Sequence, residues 1–535
     1  MSFNFNEYPY PSRRRVIFSN KAMVATSNPS AALAGVEIFR KGGNAVEAAL
    51  ATAISMPVVE PTCNGLGSDL FAIIFYKKKL YGINGSGRSP RSISIKALKE
   101  RGLNKIPFFG PCSINTPGAV GAWFEIYNKF GKLPIEEIFK PAISYARDGF
   151  ALSPKVAKLW DDEVKKYSSL KNIQGLEEFF EQFTNDGKAP KAGNIVKNEN
   201  LKATLEEILA TRGESFYRGE LAEKIDKYIR ECGGYLSKSD LENYKALWVK
   251  PISINYRGID VWEMPPNGHG ITVLMTLNIL KNFSLESRED PQTLHRIIEA
   301  IKVSMSDTAE HITDPSSMRY TTSELLSEAY ADERRKLIKN TAEKFSAGVP
   351  FSPSTVYIAT ADEEGNMVSL IQSNYNGFGS GLVVPGASIS LNNRAANFSF
   401  MEDHVNALSG GKLPYHTIIP GFLTKAGEAL GPFGIMGGFM QPQAHVQVLT
   451  NMIDFNLNPQ AALDAPRFMW TGDKRVEIEM DYPKYLLNNL KTRGHDLIIK
   501  SDYTDMGRGQ IILRMDNDVY IGATEKRTDG YIGIY

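Results

Sequence analysis

The spacing of hydrophobic residues predicts a helix-rich first part of the chain and a strand-rich part after about residue 350. Apolar side chains recur every three or four positions after Asn28-Pro29, an N-cap followed by proline at the first helical position. Gly42-Gly43 ends this helix, and Asn44 begins a second one over residues 45–56, which Pro57 is expected to end. Further helices are predicted for residues 135–147, 201–209 and 294–308, and a polar helical excursion for residues 159–200.

The strand-rich part begins with two runs, residues 356–361 and 367–372, joined by a hairpin loop that contains Gly365. An earlier hairpin is predicted for residues 70–76 and 80–83. Other segments read as strands (388–391, 417–423, 475–479, 510–515 and 519–521) or as helices (446–453 and 484–492). Strands in runs and helices in blocks predict a layered α+β fold rather than a doubly wound sheet.

Composition excludes several classes of protein. A chain of 535 residues is long enough for two packed lobes or one large layered fold, and its net charge of +1 gives no reason to expect a nucleic-acid partner or an anionic membrane. The three cysteines form no CxxC pair and the seven histidines no HExxH motif, so we predict no metal and no cofactor. The N-terminus has no apolar signal segment and the longest apolar stretch, residues 48–59, is too short to span a bilayer, so we expect a cytoplasmic protein without a membrane partner.

Eight segments, in order along the chain, together resemble the γ-glutamyltransferase (glutathione hydrolase) family. These segments are residues 23–52, 58–71, 115–123, 216–225, 264–271, 355–370, 376–386 and 457–468. The resemblance implies an N-terminal-nucleophile hydrolase with a four-layer αββα sandwich and a mostly helical lobe from the large subunit. It also implies a precursor that cuts itself between Ser354 and Thr355 into a large subunit, residues 1–354, and a small subunit, residues 355–535, which share one core.

The resemblance makes Thr355 the nucleophile, and the chemistry of threonine agrees with that role. A threonine hydroxyl needs an adjacent base, and an N-terminal threonine supplies its own α-amine, with a reference pKa of roughly 7.7–8.0. Cleavage before Thr355 would create this amine, which explains why processing must precede activity. Unlike the family pattern, Val356 and Tyr357 follow the nucleophile.

Two other catalytic assignments follow from the resemblance. Ser373 falls where the family places a second hydroxyl that hydrogen-bonds the nucleophile. Gly437-Gly438 match the glycine pair whose N–H groups stabilise the oxyanion of the tetrahedral intermediate.

The predicted substrate pocket departs from the family pattern. Ser86 stands at the position of the family's arginine, with Arg88 two residues later, and Tyr375 stands at the position of the pocket asparagine. Asn397 replaces the aspartate that binds the substrate's α-amine, and His416-Thr417 replace a pair of serines. An asparagine cannot neutralise an ammonium group as a carboxylate does.

Two interpretations of this pocket stay open. Either Arg88 and Arg394 hold an acidic substrate in a different way, or the substrate has no free α-amine. The segment 398–414 is also short for the family, which favours hydrolysis over transpeptidation because water reaches the site.

The sequence therefore predicts a self-processing threonine amidohydrolase that cleaves γ-glutamyl amides of the glutathione type. One alternative is a hydrolase of another small acidic amide, resembling oxamate amidohydrolase, or an acylase. Another is an uncleaved, inactive binding protein. The expected partners are a small-molecule amide and the two subunits of one precursor, with a homodimer of heterodimers left open.

Overall fold

The structure, a computed structural model, describes residues 9–11, 14–170, 172–345 and 355–535. Its strands are β1 (Ile17–Ser19), β2 (Met23–Thr26), β3 (Asp69–Tyr76), β4 (Lys79–Gly85), β5 (Phe150–Ala151), β6 (Ile195–Val196), β7 (Leu247–Val249), β8 (Ile252–Tyr256), β9 (Ile259–Glu263), β10 (Val356–Ala361), β11 (Met367–Ser373), β12 (Val383–Val384), β13 (Ile389–Ser390), β14 (Gly421–Lys425), β15 (Glu428–Met436), β16 (Phe468–Gly472), β17 (Arg475–Glu479), β18 (Asp496–Lys500), β19 (Arg508–Arg514), β20 (Tyr520–Thr524) and β21 (Tyr531–Ile534).

The helices are α1 (Pro29–Arg40), α2 (Ala45–Val59), α3 (Ile95–Glu100), α4 (Ala119–Phe130), α5 (Ile135–Asp148), α6 (Pro154–Ser169), α7 (Glu177–Phe183), α8 (Glu199–Ala210), α9 (Glu214–Arg218), α10 (Glu220–Glu231), α11 (Lys238–Glu242), α12 (Gly270–Leu280), α13 (Pro291–His311), α14 (Thr322–Leu325), α15 (Glu328–Arg335), α16 (Met440–Ile453), α17 (Pro459–Asp464) and α18 (Lys484–Thr492). No helix among the described residues is long and apolar enough to cross a membrane.

Two large antiparallel sheets form the centre of the fold. The first, sheet A, has the strand order β1-β20-β19-β15-β14-β9-β8, and the second, sheet B, has the order β21-β2-β10-β11-β3-β4-β7. Each sheet combines strands from before and after residue 355, so both predicted subunits contribute to the same core. The predicted layered α+β class is confirmed at this level.

The two sheets pack against each other, and helices cover their outer faces. The strands β10 and β11 of sheet B lie against β15 of sheet A. Helices α1 and α2 pack on sheet B, whereas α12 and α16 pack on sheet A. Helix α2 is buried on every side because its sequence is apolar around the whole circumference, and Asn44 with Glu47 forms a capping box at its start.

Most predicted elements near the site are confirmed. The hairpin of β10 and β11 turns at Gly365, whose φ of 80° suits glycine, and the hairpin of β3 and β4 turns at Lys77 and Lys78. Three predicted boundaries are wrong. Helix α2 continues through Pro57 to Val59, the strand predicted for residues 417–423 begins only at Gly421, and the helix predicted for residues 446–453 begins already at Met440. Residues before Gly421 leave the sheet because their polar groups bond to other segments, as in the donation from Ile419 N to Gln441 Oε1 at 2.9 Å.

Candidate functional site

Thr355 begins a row of polar side chains that crosses sheet B. Val356 pairs with Gln372, so Thr355 lies opposite Ser373 one position further on, and its Oγ1 donates to Ser373 Oγ at 3.1 Å. Ser373 in turn pairs with Asp69 on β3. Residues opposite each other on neighbouring strands have side chains on the same face. The hydroxyls of Thr355 and Ser373 and the carboxylate of Asp69 therefore lie on one face of sheet B.

This row faces the interior between the two sheets. Tyr357, two residues after Thr355, has its side chain on the same face, and its hydroxyl hydrogen-bonds Ser369 Oγ at 2.8 Å. Ser369 Oγ also donates to the carbonyl of Phe433, on β15 of sheet A, at 3.4 Å. Thr355 is only 1% exposed, which places the predicted nucleophile in a buried layer.

Backbone geometry holds Ser373 in place beside Thr355. Tyr375 has a φ of 83°, in the left-handed region that is unusual for a tyrosine, and its N–H donates to Ser373 Oγ at 2.8 Å. Ser373 Oγ thus accepts from both the Thr355 hydroxyl and a main-chain amide. Such an arrangement orients the Thr355 hydroxyl.

Asp69 is the centre of a buried ionic cluster. Its Oδ2 accepts from Arg394 Nε at 3.2 Å and from His416 Nε2 at 2.9 Å, and its Oδ1 accepts from the Gly87 N–H at 3.3 Å. Arg394 Nη1 donates to Thr417 Oγ1 at 2.8 Å. The side chains of Asp69, Arg394 and His416 are all 0% exposed.

Arg394 keeps part of its hydrogen-bonding capacity unused. Its guanidinium carbon lies 4.7 Å from the centre of the Tyr375 ring, a cation–π geometry. Its Nη2 is buried and has no hydrogen-bond partner in the described part of the chain. An arginine fork with one free nitrogen suits a carboxylate.

Burial dominates the electrostatics of this cluster. It raises the pKa of Asp69 to about 7, although the Arg394 charge acts in the opposite direction. Burial and the Arg394 charge hold the pKa of His416 well below its ordinary value, so this imidazole stays neutral. The Ile418 N–H donates to His416 Nδ1 at 3.4 Å, which leaves the proton on Nε2, facing Asp69.

Ser86 extends the row by one more strand. Leu70 pairs with Gly85, so Ser86 lies opposite Asp69 one position beyond β4. Its Oγ donates to Asn84 Oδ1 at 2.7 Å and accepts from Asn267 Nδ2 at 3.3 Å. Ser86 also borders a cavity of about 240 Å³ that Arg88 lines.

The structure does not bring Arg88 into the ionic cluster. Its Nη1 pairs with Asp314 Oδ2 at 2.7 Å and donates to the Gly411 carbonyl at 3.0 Å, and its side chain is 50% exposed. Asn397 ends a short 3₁₀ helix that begins at Arg394, and its buried Nδ2 has no partner among the described residues. The position predicted to replace the amine-binding aspartate thus carries an uncharged amide.

Gly437 and Gly438 form the turn between β15 and α16. Their φ values of 143° and 57° are disfavoured for other residues. Gly434, three residues before Gly437, packs on the Tyr357 ring, because a Cβ added there would lie 2.2 Å from Tyr357 Cε2. The strand that ends just before the glycine pair therefore packs on the strand that follows Thr355. Ser354, the other residue of the predicted cut, lies outside the described residues.

The sequence analysis did not identify Asp69, which lies opposite Ser373 in the sheet and forms an ion pair with Arg394. The signal was present, because Asp69 begins an otherwise apolar strand, DLFAIIFY, and a carboxylate at such a position needs a partner. Its partners come from residues 394 and 416, which no local pattern connects to it.

One group of potential metal ligands lies elsewhere, at His295, Glu299 and His495. Lys302 Nζ donates to Glu299 Oε1 at 2.6 Å and already neutralises that carboxylate. Burial, then His295, and then the Lys302, Arg493 and Lys474 charges lower the pKa of His495, and these nearby cations oppose a metal ion. We assign no metal to this group.

Comparisons with known proteins identify the family that this chain resembles. The profile of the family described as gamma-glutamyltranspeptidase matches residues 31–535. The crystal structure of a cephalosporin acylase from Bacillus halodurans superimposes with a TM-score of 0.95 and 48% sequence identity, covering 100% of this chain and 99% of that chain. A glutathione hydrolase-like proenzyme of Bacillus subtilis (strain 168) is 32% identical, over 96% of this chain and 98% of the relative. An oxamate amidohydrolase proenzyme of Klebsiella pneumoniae is 30% identical, over 96% of this chain and 98% of the relative.

The chain therefore belongs to the gamma-glutamyltranspeptidase family, and it is an enzyme of that family.

Proposed function

We propose that this enzyme is cut between Ser354 and Thr355 and that Thr355 then hydrolyses amides whose acyl group carries a carboxylate but no α-amine. The stacking of α1 and α2, sheet B, sheet A, and α12 and α16 supports the four-layer arrangement of N-terminal-nucleophile hydrolases. In that class the new α-amine of Thr355 serves as the base, and Ser373 orients the hydroxyl it activates. The N–H groups of Gly437 and Gly438 are the proposed oxyanion donors.

The free Nη2 of Arg394 is the observation that carries the acyl specificity. Arg394 is held by Asp69, which lies two strands from Thr355 in the same row. Strands lie about 4.8 Å apart, so the two backbones are separated by roughly 10 Å. A dicarboxylic acyl chain with several methylene groups bridges this gap together with the two side chains, whereas an oxamyl group is too short.

The surroundings of Arg394 disfavour an α-amine. An ammonium group needs an anionic partner, but Asp69 Oδ2 already accepts from Arg394 and His416. Asn397 is uncharged, so it cannot neutralise an ammonium as a carboxylate does. We therefore favour a glutaryl-type acyl group. Glutathione-type γ-glutamyl amides remain the second candidate because of the similarity to the glutathione hydrolase-like proenzyme.

A matched pair of chromogenic substrates tests this choice. Glutaryl-p-nitroanilide and γ-glutamyl-p-nitroanilide differ only in the α-amine, and we expect a higher kcat/KM for the glutaryl compound. Ammonia release from oxamate serves as the third arm. Equal or faster turnover of the γ-glutamyl compound refutes the proposed acyl specificity, but it does not contradict Thr355 as the nucleophile.

Processing is tested separately. N-terminal sequencing of the smaller fragment is expected to begin at Thr355, and a Thr355→Ala protein is expected to stay whole and inactive. Thr355→Ser, which keeps a hydroxyl and an α-amine, is the matched control and should still be cut. A Thr355→Ala protein that splits at the same bond contradicts the mechanism, and a wild-type chain that stays whole supports the uncleaved binding protein.

A further inference from the structure

A second group of buried polar atoms without partners lies on the inner face of sheet A. The unpartnered atoms in the described part of the chain include Arg508 Nη1, both amide atoms of Gln510, Thr524 Oγ1 and Glu60 Oε1. These four residues are between 0% and 6% exposed. Arg508 is the most unusual, since its side chain forms no ion pair and no hydrogen bond with any described residue.

Strand register places these side chains together. Arg508 and Gln510 are two residues apart on β19, so their side chains share a face. Gln510 pairs with Gly434 on one neighbouring strand and with Thr524 on the other. A Cβ on Gly434 would point at the Tyr357 ring, and therefore this face looks toward sheet B.

Glu60 is the member of this group that comes from the side of sheet B. It caps the end of α2, and its Oε2 accepts from Ser27 Oγ at 2.7 Å. Ser27 follows β2, the strand beside β10, whereas Asp69 and Arg394 lie on the β11 side of Thr355. Burial raises the pKa of Glu60 to about 6, although Arg508 and Ser27 act to lower it. The charges of Glu60 and Arg508 therefore interact, but the two side chains form no ion pair.

Other charged groups near Arg508 do not neutralise it. Burial, followed by the Arg508 charge, lowers the pKa of Lys155, so this second cation adds to the positive field. Asp529 Oδ2 is occupied by the backbone N–H of Lys155 at 2.7 Å. Glu60 interacts with the Arg508 charge but forms no hydrogen bond with it, so this buried guanidinium keeps an unused donor that points to an added anionic ligand.

We propose that Arg508 binds a carboxylate on the amine side of the scissile bond. Thr355 lies between two arginines, with Arg394 on the β3 side and Arg508 on the β2 side. Arg508 also pairs in the sheet with Met436, the residue before Gly437, and so it lies next to the proposed oxyanion site. Gln510 and Thr524 supply neutral hydrogen bonds to the same leaving group.

This inference rests on the proposed function and extends it to the other half of the substrate. The preferred substrate is an amide with one carboxylate on each side of the bond, as when a dicarboxylic acyl group is joined to an amino acid or to another amine that bears a carboxylate. Hydrolysis then releases a dicarboxylic acid and an amine that carries the second carboxylate.

A matched pair of leaving groups tests the proposal. The acyl group is whichever of glutaryl and γ-glutamyl the enzyme turns over faster, and the leaving groups are 4-nitroaniline and its 3-carboxy derivative. We expect the wild-type enzyme to favour the carboxylated anilide in kcat/KM by about tenfold to a hundredfold, the usual effect of one charge-assisted hydrogen bond. Arg508→Gln should bring this ratio close to one, and Arg508→Lys should keep part of it.

The exposed Arg475→Gln is the control and should keep the wild-type ratio. A wild-type ratio near one overturns the proposal, as does an Arg508→Gln enzyme that keeps the wild-type ratio.

A binding measurement covers the case in which Arg508→Gln fails to fold or neither anilide is cleaved. In the wild-type protein, calorimetry should detect 3-aminobenzoate binding much more tightly than aniline. Equal or absent binding of both amines contradicts the role of Arg508. Tight 3-aminobenzoate binding without any amide turnover supports the Arg508 site while it contradicts the proposed hydrolysis.

Discussion

Removal of Arg394 is expected to destabilise the protein through the charge that it leaves on Asp69. The Arg394 Nε to Asp69 Oδ2 distance is 3.2 Å, and both side chains are fully buried. Breaking such a pair from one side costs about 3–5 kcal/mol, because the remaining charge is buried without compensation. Arg394→Gln should therefore lower the free energy of unfolding by about that amount at alkaline pH, and an added Asp69→Asn should restore most of the loss.

The pH dependence separates charge from packing. The folded-state pKa of Asp69, about 7, is raised above its ordinary value of 3.8, so the folded state binds more protons than the unfolded state between these values. The Asp69 contribution to stability is thus fully present below the ordinary pKa and falls as pH rises to the folded pKa. Without Arg394 the folded pKa rises further, and the fall continues above pH 7 with a slope of up to about 1.4 kcal/mol per pH unit.

The assay compares thermal unfolding midpoints of the three proteins at about pH 6 and pH 9. All of them carry Thr355→Ala, so that each is a single uncut chain. We expect the unfolding midpoint of Arg394→Gln to lie further below that of the parent protein at pH 9 than at pH 6. The deficit of the Arg394→Gln/Asp69→Asn double variant should be nearly the same at both pH values. An equal deficit at both pH values, or a double variant as unstable as the single one, would falsify the charge argument and indicate that Arg394 acts through packing on Tyr375.

Three further predictions concern the catalytic row and its neighbours. Ser373→Ala should lower kcat by about tenfold or more with little change in KM, since Thr355 loses its acceptor and the Tyr375 N–H is left unsatisfied; steady-state kinetics that show only a raised KM would contradict this. Gly438→Ala places a Cβ at a φ of 57°, a strain of about 1–2 kcal/mol, and should reduce kcat more than Gly438→Asn, which tolerates this conformation better. Arg88→Gln should change kcat/KM for glutaryl-p-nitroanilide by less than about threefold, because a half-exposed ion pair contributes roughly 0–1 kcal/mol; a large loss would identify Arg88 as the carboxylate anchor instead of Arg394.

Local patterns were sufficient for the elements around the nucleophile. The two β-rich runs and the Gly365 turn predict the hairpin of β10 and β11, and register within that hairpin brings Ser373 beside Thr355. Boundaries failed where burial overrides propensity. Pro57 sits inside α2 because the last turn of that helix is fully buried, and tertiary packing compensates for the missing N–H.

The pocket required the tertiary structure. Arg88 and Arg394 look equivalent in the sequence, as two arginines near matched motifs. In the fold, Arg88 pairs with Asp314 at the surface, whereas Arg394 is buried against Asp69 and keeps one nitrogen free. Arg508 had no motif at all, and only the register of β19 with β15 brings it next to Gly437.

The sequence by itself determined the family resemblance, the layered fold class and the candidate nucleophile, because these depend on periodicity and on motifs whose residues are close together in the chain. The tertiary structure decided which charges are paired, which are buried without a partner, and on which side of Thr355 each arginine lies. The reason is physical: the pairing of a charge depends on its burial and on neighbours that are hundreds of residues away, as with Asp69 and His416, and the packing of distant segments rather than sequence spacing sets those neighbours.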